Sequence, residues 1–178
     1  LVYAEYFYGA NGGDVGFDPE FSAQSVYSRQ KSAVSNLHLM QALVGCDAAV
    51  SPTQFQKTQH PLALQSKISV IHDGIDTQRF VPNPQSWVSL SNAGIKLTAA
   101  DEIITFVARQ LEPYRGYHTF MRALPELLAL RPNARVIIVG GDGVSYGSNP
   151  PPGSTWKQLF LDEVKARIDP QRVHLVGN

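Results

Sequence analysis

The stretch from Ile103 to Gly143 constrains the fold of this chain more than any other. It reads IITFVARQLEPYRGYHTFMRALPELLALRPNARVIIVGGDG: an apolar run, a polar loop, an amphipathic segment, a second apolar run and a glycine turn. This order predicts a strand, a helix and a second strand, a unit that favours parallel pairing. Ligands of open parallel sheets bind beyond the carboxyl ends of the strands. The loop after the first strand is therefore the first place to look for function.

That loop carries two arginines, Arg109 and Arg115, and only one acid, Glu112. Gly116 follows at once and opens the amphipathic helix, whose first turn presents free N–H groups and a partial positive charge. Two guanidinium groups at a helix start make a good binding place for phosphate. The alternative is a pair of surface arginines around Glu112, with Gly116 as a plain turn residue.

Composition narrows the class of partner. Of the 178 residues, 43% are hydrophobic and 17% charged, and 15 basic residues balance 15 acidic ones. This is a folded chain without the basic excess of a nucleic-acid binder, so an anionic partner should be small. The single cysteine, Cys46, excludes an internal disulfide and a cysteine-based zinc site, and we expect it to be a small core residue.

The first half of the chain predicts a second series with the order β-loop-α-β-α-β, again favouring parallel strands. The predicted strands cover residues 1–8, 47–51 and 67–71, and the predicted helices cover residues 25–44 and 52–59. In the longer helix, five residues at helical spacing should face the core: Val26, Ala33, Leu37, Met40 and Val44.

Residues 81–100 lack strong periodicity and predict a crossing between domains with a surface insertion. After the central unit, a helix is predicted over residues 155–168 and a strand over residues 172–176. Pro125 should kink or divide the central helix. We predict an α/β chain with Rossmann-like parallel sheets, both incomplete: 1–82 from one domain, 83–101 as linker or insertion, and 102–178 from a second domain. The chain thus looks like a fragment that spans a domain junction.

Two motifs resemble a known family. KISVIHDGIDTQRFVPNP is similar to the interdomain segment of GT-B glycosyltransferases of family 4 (group 1), whose usual form is V-I-x-N-G-I-D-x-x-x-F-x-P. FVARQLEPYRGYHTFMRALPELLALRPNARVIIVGGDG resembles the start of their nucleotide-sugar-binding domain. EYFY…DVGFDPEF…SPTQFQ looks like the end of the N-terminal, acceptor domain in a bacterial branch. The resemblance covers almost the whole chain.

The chain departs from the family pattern at three positions. Ala108 stands where the family usually has Gly, Arg115 where it has Lys, and Asp73 where it often has Asn. Arginine keeps the charge of lysine and adds a planar fork, so phosphate binding should survive with altered geometry. The family's E-x7-E motif, which contacts the donor sugar and ribose, does not occur in these residues.

The resemblance implies roles for the residues of the central unit. Arg109, Arg115 and Gly116 would bind the donor diphosphate. Gly140, Gly141 and Asp142 would shape the nucleotide pocket, although a glycine turn with a capping Asp explains them equally well. His118 could face the phosphates or lie on a solvated part of the helix.

In the first half, Glu5, Tyr8 and Asp14 lie at the end of the first predicted strand and after it. The acceptor would enter there in this family, although a hydrogen-bonded loop is the simpler explanation. His72 and Asp73 could do acid–base work. The structural alternative is a turn in which Gly74 supplies a positive φ and Asp76 caps the next turn.

The resemblance implies a retaining glycosyltransferase that moves a hexose from a nucleotide diphosphate sugar to a hydroxyl acceptor, either a glycan or a lipid-linked molecule. It implies no metal, no cofactor and no nucleic-acid partner. We expect a cytoplasmic enzyme, with the periphery of the inner membrane as an alternative, and we expect the 178-residue chain alone to be inactive because its partners include the missing parts of its own domains. A GT-B-fold nucleotide-sugar epimerase and a non-catalytic nucleotide-binding module remain open as alternatives.

Overall fold

Parallel strands organise both halves of the molecule in a computed structural model, which describes residues 1–9, 14–21, 25–90 and 93–177. The chain divides into two compact units, Leu1–Val81 and Pro82–Asn178. Each contains one three-stranded parallel sheet with helices between successive strands. The predicted α/β class with Rossmann-like parallel sheets is confirmed.

The first unit has short strands. They are β1 (Val2–Tyr3), β2 (Ala49–Ser51) and β3 (Ile68–Val70), in the order β1-β2-β3. The helices are α1 (Val26–Ser35), α2 (Leu37–Gly45), α3 (Gln54–Gln59) and α4 (Leu62–Gln65). A cluster of its buried core residues consists of Ala4, Leu43, Ala49 and Ile68.

The long helix predicted over residues 25–44 is two helices. Ser25 caps α1 as expected, since its Oγ accepts a hydrogen bond from the Ser28 N–H. The break falls at Asn36, whose buried amide exchanges two hydrogen bonds with the backbone of Tyr8. The hydrogen bonds between the Asn36 side chain and the Tyr8 backbone therefore fix the point where the helix divides.

The predicted inward face of these helices is wrong. Val26, Leu37 and Val44 are each more than half exposed, whereas Ser32 and Leu43 are buried. The period of the apolar residues was correct for a helix, but the sheet of this unit packs against a different side. Of the five residues of the predicted stripe, only Met40 is partly buried.

The second unit begins with a β-hairpin, β4 (Trp87–Leu90) and β5 (Ile95–Thr98), inside the segment predicted as linker and insertion. Leu90 and Leu97 of the hairpin are buried against Ile137 of the sheet. The segment thus contributes part of the core of the second unit.

The second sheet has longer strands, β6 (Ile103–Gln110), β7 (Arg135–Gly141) and β8 (Val173–Gly177), in the order β6-β7-β8. Helices α5 (Tyr117–Leu130) and α6 (Trp156–Val164) connect them, and short 3-10 turns cover Pro113–Arg115 and Lys165–Arg167. The predicted parallel pairing is confirmed in both sheets.

One face of this sheet packs on α5 and α6. The ring of Phe106 lies 4.9 Å from Phe120 and 5.8 Å from Tyr117, and Tyr117 contacts Phe160 of α6. Pro125 lies inside α5, which runs unbroken from Tyr117 to Leu130, so the expected division of this helix is wrong. Its core-facing residues hold the helix together across the missing N–H group.

Candidate functional site

The two predicted arginines lie at the carboxyl end of β6 and in the loop that follows it. Arg109 is the last residue but one of β6 and is exposed. Among the described residues, its side chain makes no hydrogen bond or ion pair, so the guanidinium group is available to an anion. Arg115 ends the 3-10 turn Pro113–Arg115, one residue before α5.

Arg115 is held from two sides. Its Nε lies 3.7 Å from Oε1 of Glu112, and its guanidinium carbon lies 5.1 Å from the centre of the Tyr146 ring. The ring face attracts the cation, and the carboxylate adds an electrostatic contact. The side chain remains 38% exposed, so part of the guanidinium group faces solvent.

Glu112 is fully buried, which the sequence did not predict for an acid between two arginines. Its Oε2 accepts hydrogen bonds from the backbone N–H groups of Ser145, at 2.6 Å, and Tyr146, at 3.2 Å. The carboxylate therefore ties the loop after β7 to the loop after β6.

Gly116 adopts a left-handed backbone conformation, with φ at 75°. Its N–H donates to the carbonyl of Pro113 at 2.8 Å, and its carbonyl accepts from the N–H of Phe120 at 3.0 Å. Any other residue would be strained here, and this conformation lets the chain pass from the 3-10 turn directly into α5. The first turn of α5 has no side-chain cap.

The glycines at the end of β7 and just after it serve close packing. A Cβ on Gly140 would lie 2.6 Å from the Leu111 side chain and 2.9 Å from the carbonyl oxygen of Ala108. Gly141 pairs with Gln110 across the sheet, and the N–H of Gly143 donates to Oε1 of Gln110 at 2.8 Å. These contacts bring the two loops together at the carboxyl end of the sheet.

Asp142 forms an ion pair with Lys157 in the first turn of α6, with the Nζ 2.5 Å from one carboxylate oxygen. The negative charge of Asp142 also acts on Tyr117, whose pKa is raised above its ordinary value by burial first and by this carboxylate second. Tyr117 donates to the carbonyl of Lys157 and stays a neutral core phenol. Asp142 is thus engaged with its own unit.

His118 is buried, only 7% exposed, and its ring lies 5.9 Å from that of Phe160. The solvated position considered for this residue is wrong, because His118 packs between α5 and α6. Its Nε2 lies 3.1 Å from Oγ1 of Thr119.

The residues around Gly74 form a turn in the first unit. Gly74 has a φ of 77°, and Oδ1 of Asp76 accepts from the N–H groups of Gln78 and Arg79 at 3.0 Å, as the structural alternative predicted. Asp73 accepts a hydrogen bond from the Tyr3 hydroxyl at 2.8 Å. That hydrogen bond is the main reason why the pKa of Tyr3 is raised to about 12.

A cavity of about 510 Å³ lies beside the end of β1 and the start of α3. Glu5 and Asp14 are among its lining residues, but Tyr8 is not. Asp14 holds its own loop, since its two oxygens accept from the Tyr6 hydroxyl and the Gly9 N–H, each at 2.7 Å. Residues 10–13, between Gly9 and Asp14, lie outside the described residues.

Comparison with known proteins shows similarity to glycosyltransferases in the first unit. Residues 1–80 match a family model described as the glycosyl transferase family 4 group. Residues 1–80 are therefore similar to the glycosyl transferase family 4 group. The resemblance found in the sequence is thereby confirmed.

The second unit also takes part in this relationship. A D-inositol 3-phosphate glycosyltransferase from Segniliparus rotundus is 28% identical over 111 residues, which cover 59% of this chain and 24% of the relative. That share of the chain, about 105 of its residues, is longer than either unit, so the similarity includes residues of both. The chain matches about a quarter of the length of this relative.

Two negative findings concern the described residues only. Within them, no group of three or more His, Cys, Asp or Glu residues is placed to hold a metal ion. In the same part of the chain, no helix is both long and apolar enough to cross a membrane.

Sequence reasoning missed three residues at the carboxyl end of the second sheet. Glu112 was noted only as the acid between two arginines, and Tyr146 and Lys157 were not singled out. The signal for Glu112 was its setting in Leu-Glu-Pro, where a buried leucine and a buried proline flank the acid. The partner of this carboxylate lies more than thirty positions away and carries no mark in the sequence.

Proposed function

We propose that the protein is a retaining glycosyltransferase of the GT-B type, which transfers a hexose from a nucleotide diphosphate sugar to a hydroxyl group during polysaccharide or glycan synthesis. The second unit would bind the donor, and the first unit would bind a glycan or lipid-linked acceptor. Because nucleotide sugars are cytoplasmic substrates, we propose that it acts in the cytoplasm or at the periphery of the inner membrane of a bacterium.

The arrangement of Arg109 and Arg115 carries this proposal. Both belong to the loop region at the carboxyl end of β6, and both keep exposed guanidinium groups without a hydrogen-bond partner in the described residues. The uncapped first turn of α5 follows Arg115 directly. A diphosphate fits such a place because it can take charge-assisted bonds from arginine and further bonds from free backbone N–H groups.

The chemistry follows from the charge that develops during transfer. When the bond between the sugar and the diphosphate breaks, negative charge accumulates on the departing diphosphate oxygens. Cations fixed in advance stabilise that charge without any reorganisation during the reaction. Arg115 is fixed in this sense by Glu112 and Tyr146, whereas Arg109 is anchored through its strand. We propose that neither unit supplies a protein nucleophile and that the acceptor attacks from the face on which the diphosphate leaves.

The acceptor would bind in the cavity beside β1. Its volume lies within the range of small-molecule pockets, and its described lining includes two carboxylates but no Lys, Arg or His. The relative is named for a phosphorylated acceptor, D-inositol 3-phosphate. Because carboxylates repel a phosphate group and accept bonds from hydroxyl groups, we propose an uncharged, hydroxyl-rich acceptor for this chain.

An epimerase of the same fold would need carboxylates free to act on the sugar. At the carboxyl end of the second sheet, the described carboxylates are Glu112, which is buried, and Asp142, which is paired with Lys157. This arrangement favours the transferase over the epimerase.

The test uses the full-length protein with calorimetric titration of UDP, GDP and ADP, followed by turnover with the matching sugar donor. Arg109→Ala and Arg115→Ala should each weaken binding of the preferred nucleotide and lower turnover by about 100-fold, as removal of a fixed charge-stabilising group does. Arg167→Ala, which removes an exposed arginine of the same unit, is the matched control and should have no effect.

Near-normal turnover in Arg109→Ala would contradict the proposed site. Donor incubated without acceptor gives a separate outcome, since accumulation of an epimerised sugar would favour the epimerase.

A further inference from the structure

The carboxylate of Glu112 is unusual for an acidic side chain, because it has no solvent exposure. Burial of a carboxylate is costly unless hydrogen bonds and an opposite charge compensate it. Its Oε2 has two backbone donors, the N–H groups of Ser145 and Tyr146. Its Oε1 has no hydrogen bond, and Nε of Arg115 lies 3.7 Å from this oxygen.

The compensation is mutual. The buried charge of Glu112 depends on Arg115, and Arg115 is attracted to a carboxylate that cannot move into solvent. A long arginine side chain at a half-exposed position would otherwise sample several rotamers, and ordering it on binding would cost affinity. Glu112 removes part of that cost before a ligand arrives.

The same carboxylate also places the surface on the other side of Arg115. The loop 143–148 is docked on the β6–α5 segment by three side chains besides Glu112. Gln110 accepts from the N–H of Gly143, the Tyr114 ring packs where a Cβ of Gly147 would be, and the Arg115 cation lies over the Tyr146 ring. The position of Tyr146 follows directly, since its own N–H is bonded to Glu112.

We infer that Glu112 is a positioning residue for anion binding: it fixes Arg115 and the Tyr146 loop against each other, and so presets the guanidinium group for a nucleoside diphosphate. This inference rests on the proposed donor site. Glu112 cannot act as a catalytic base at the sugar, because its side chain is closed off from solvent. Its effect must pass through Arg115 and Tyr146.

The test is a double-mutant cycle in the full-length protein, read by calorimetric titration with UDP, GDP and ADP. Glu112→Gln keeps an oxygen that can accept from Ser145 and Tyr146, but loses the charge that faces Arg115. It should weaken binding of the preferred nucleotide by about tenfold, the size of one charge-assisted contact. In an Arg115→Ala background, the same change should weaken binding less than about twofold, because the group through which it acts is gone.

Glu102→Gln is the matched control. Glu102 pairs with Arg131 at the opposite end of β6, so this variant removes an ion pair of the same unit without touching either loop. It should bind the nucleotide as the unmodified protein does.

The outcomes test the positioning role of Glu112 separately from the donor site. Unchanged affinity in Glu112→Gln, or losses that simply add in the double variant, would overturn the positioning role while leaving the donor site intact. Unchanged affinity in Arg115→Ala would overturn the donor site itself.

Should Glu112→Gln fail to fold, Tyr146→Leu carries the test, since this ring is exposed and its loss should be tolerated. It should weaken binding about threefold, the weight of a cation–π contact at an exposed site. The weakening should disappear in the Arg115→Ala background, and its persistence there would overturn the inference.

Discussion

The two units use the same device at the amino ends of their sheets and different devices at the carboxyl ends. Lys67 directly precedes β3, and its Nζ donates to the carbonyls of Leu43, Val44 and Cys46 at the end of α2. Arg172 directly precedes β8, and its guanidinium donates to the carbonyls of Leu128, Arg131 and Ala134 at and after the end of α5. In each unit a cation thus satisfies the orphan carbonyls of the helix before the middle strand.

The carboxyl ends differ in how a carboxylate holds a loop. Asp14 bonds Tyr6 and Gly9 within its own loop, next to an open cavity. Glu112 is buried and joins two loops that are far apart in the sequence. The comparison teaches that the amino ends of both sheets are stabilised in the same way. At the carboxyl ends, a carboxylate holds one local loop in the first unit and joins two distant loops in the second.

Removing the cations at the amino ends of the sheets should have the largest effect on the free energy of unfolding. Arg172→Ala leaves three carbonyls of the second unit without their donor and should lower the free energy of unfolding by about 3 kcal/mol. Lys67→Ala in the first unit should cost about half as much, because an ammonium group is a point charge without the planar fork of arginine. Urea unfolding is monitored by amide hydrogen exchange at Ile138 in the second unit and at Ile68 in the first. This measures the unfolding free energy of each unit separately. Equal losses in both units would contradict the difference between the two cations.

Disturbing the close packing at the carboxyl end of the second sheet should have a medium effect on the free energy of unfolding. Gly140→Ala places a Cβ 2.9 Å from the Ala108 carbonyl oxygen, a backbone atom that cannot easily move, and should cost about 2 kcal/mol. Gly45→Ala, at the end of α2, meets no atom within 4 Å and should be neutral or slightly stabilising. The same urea experiment measures both variants. A harmless Gly140→Ala would show that β6 and β7 are not tightly packed at their carboxyl ends.

The smallest effect should be a pH dependence confined to the second unit. Burial first, and the positive charge of Arg135 second, lower the pKa of His174 below its ordinary value of 6.5. The unfolded chain therefore binds this proton at a higher pH than the folded chain does. The stability that neutral His174 contributes is present above the unfolded pKa and is lost as the pH falls below about 6.5 towards the lowered value.

His174→Gln should remove this component. The slope of unfolding free energy against pH, measured by urea titrations between pH 7 and pH 5, should fall by at most about one proton relative to the unmodified chain. Identical slopes in the two proteins would show that the His174 site does not favour the neutral ring.

The sequence predicted the β6-α5-β7 unit well because its apolar runs are long and its turn residues are distinctive. The predicted strand after Ile103 and the helix after Gly116 lie where the structure has them. The parallel pairing followed from the alternation of strands and helices. The left-handed conformation of Gly74 was predictable for a similar reason, because the turn residues around it are local.

The first unit was harder, because short strands leave the decision to distant contacts. The predicted strand over residues 1–8 is only Val2–Tyr3, and the break between α1 and α2 depends on a bond from Asn36 to Tyr8. Periodicity gave the helical spacing of Val26 and Leu37, but it could not show which side the sheet would cover. At the candidate site, the position of Arg115 before the helix was predictable. Its contact with Tyr146 was not, because the two residues lie on different loops that the buried carboxylate of Glu112 holds together.

The indole of Trp156 gives the second unit a built-in optical reporter. Its Nε1–H donates to the carbonyl of Ser148 at 3.0 Å, and its ring stacks on Phe160 at 5.6 Å. Trp156 therefore touches both the loop that carries Tyr146 and the fixed core of α6. Any movement of this loop away from the core would break the indole hydrogen bond and change the emission of this tryptophan. In a Trp87→Phe background, which removes the other tryptophan of the chain, the emission thus reports without an added dye whether the loop keeps this hydrogen bond.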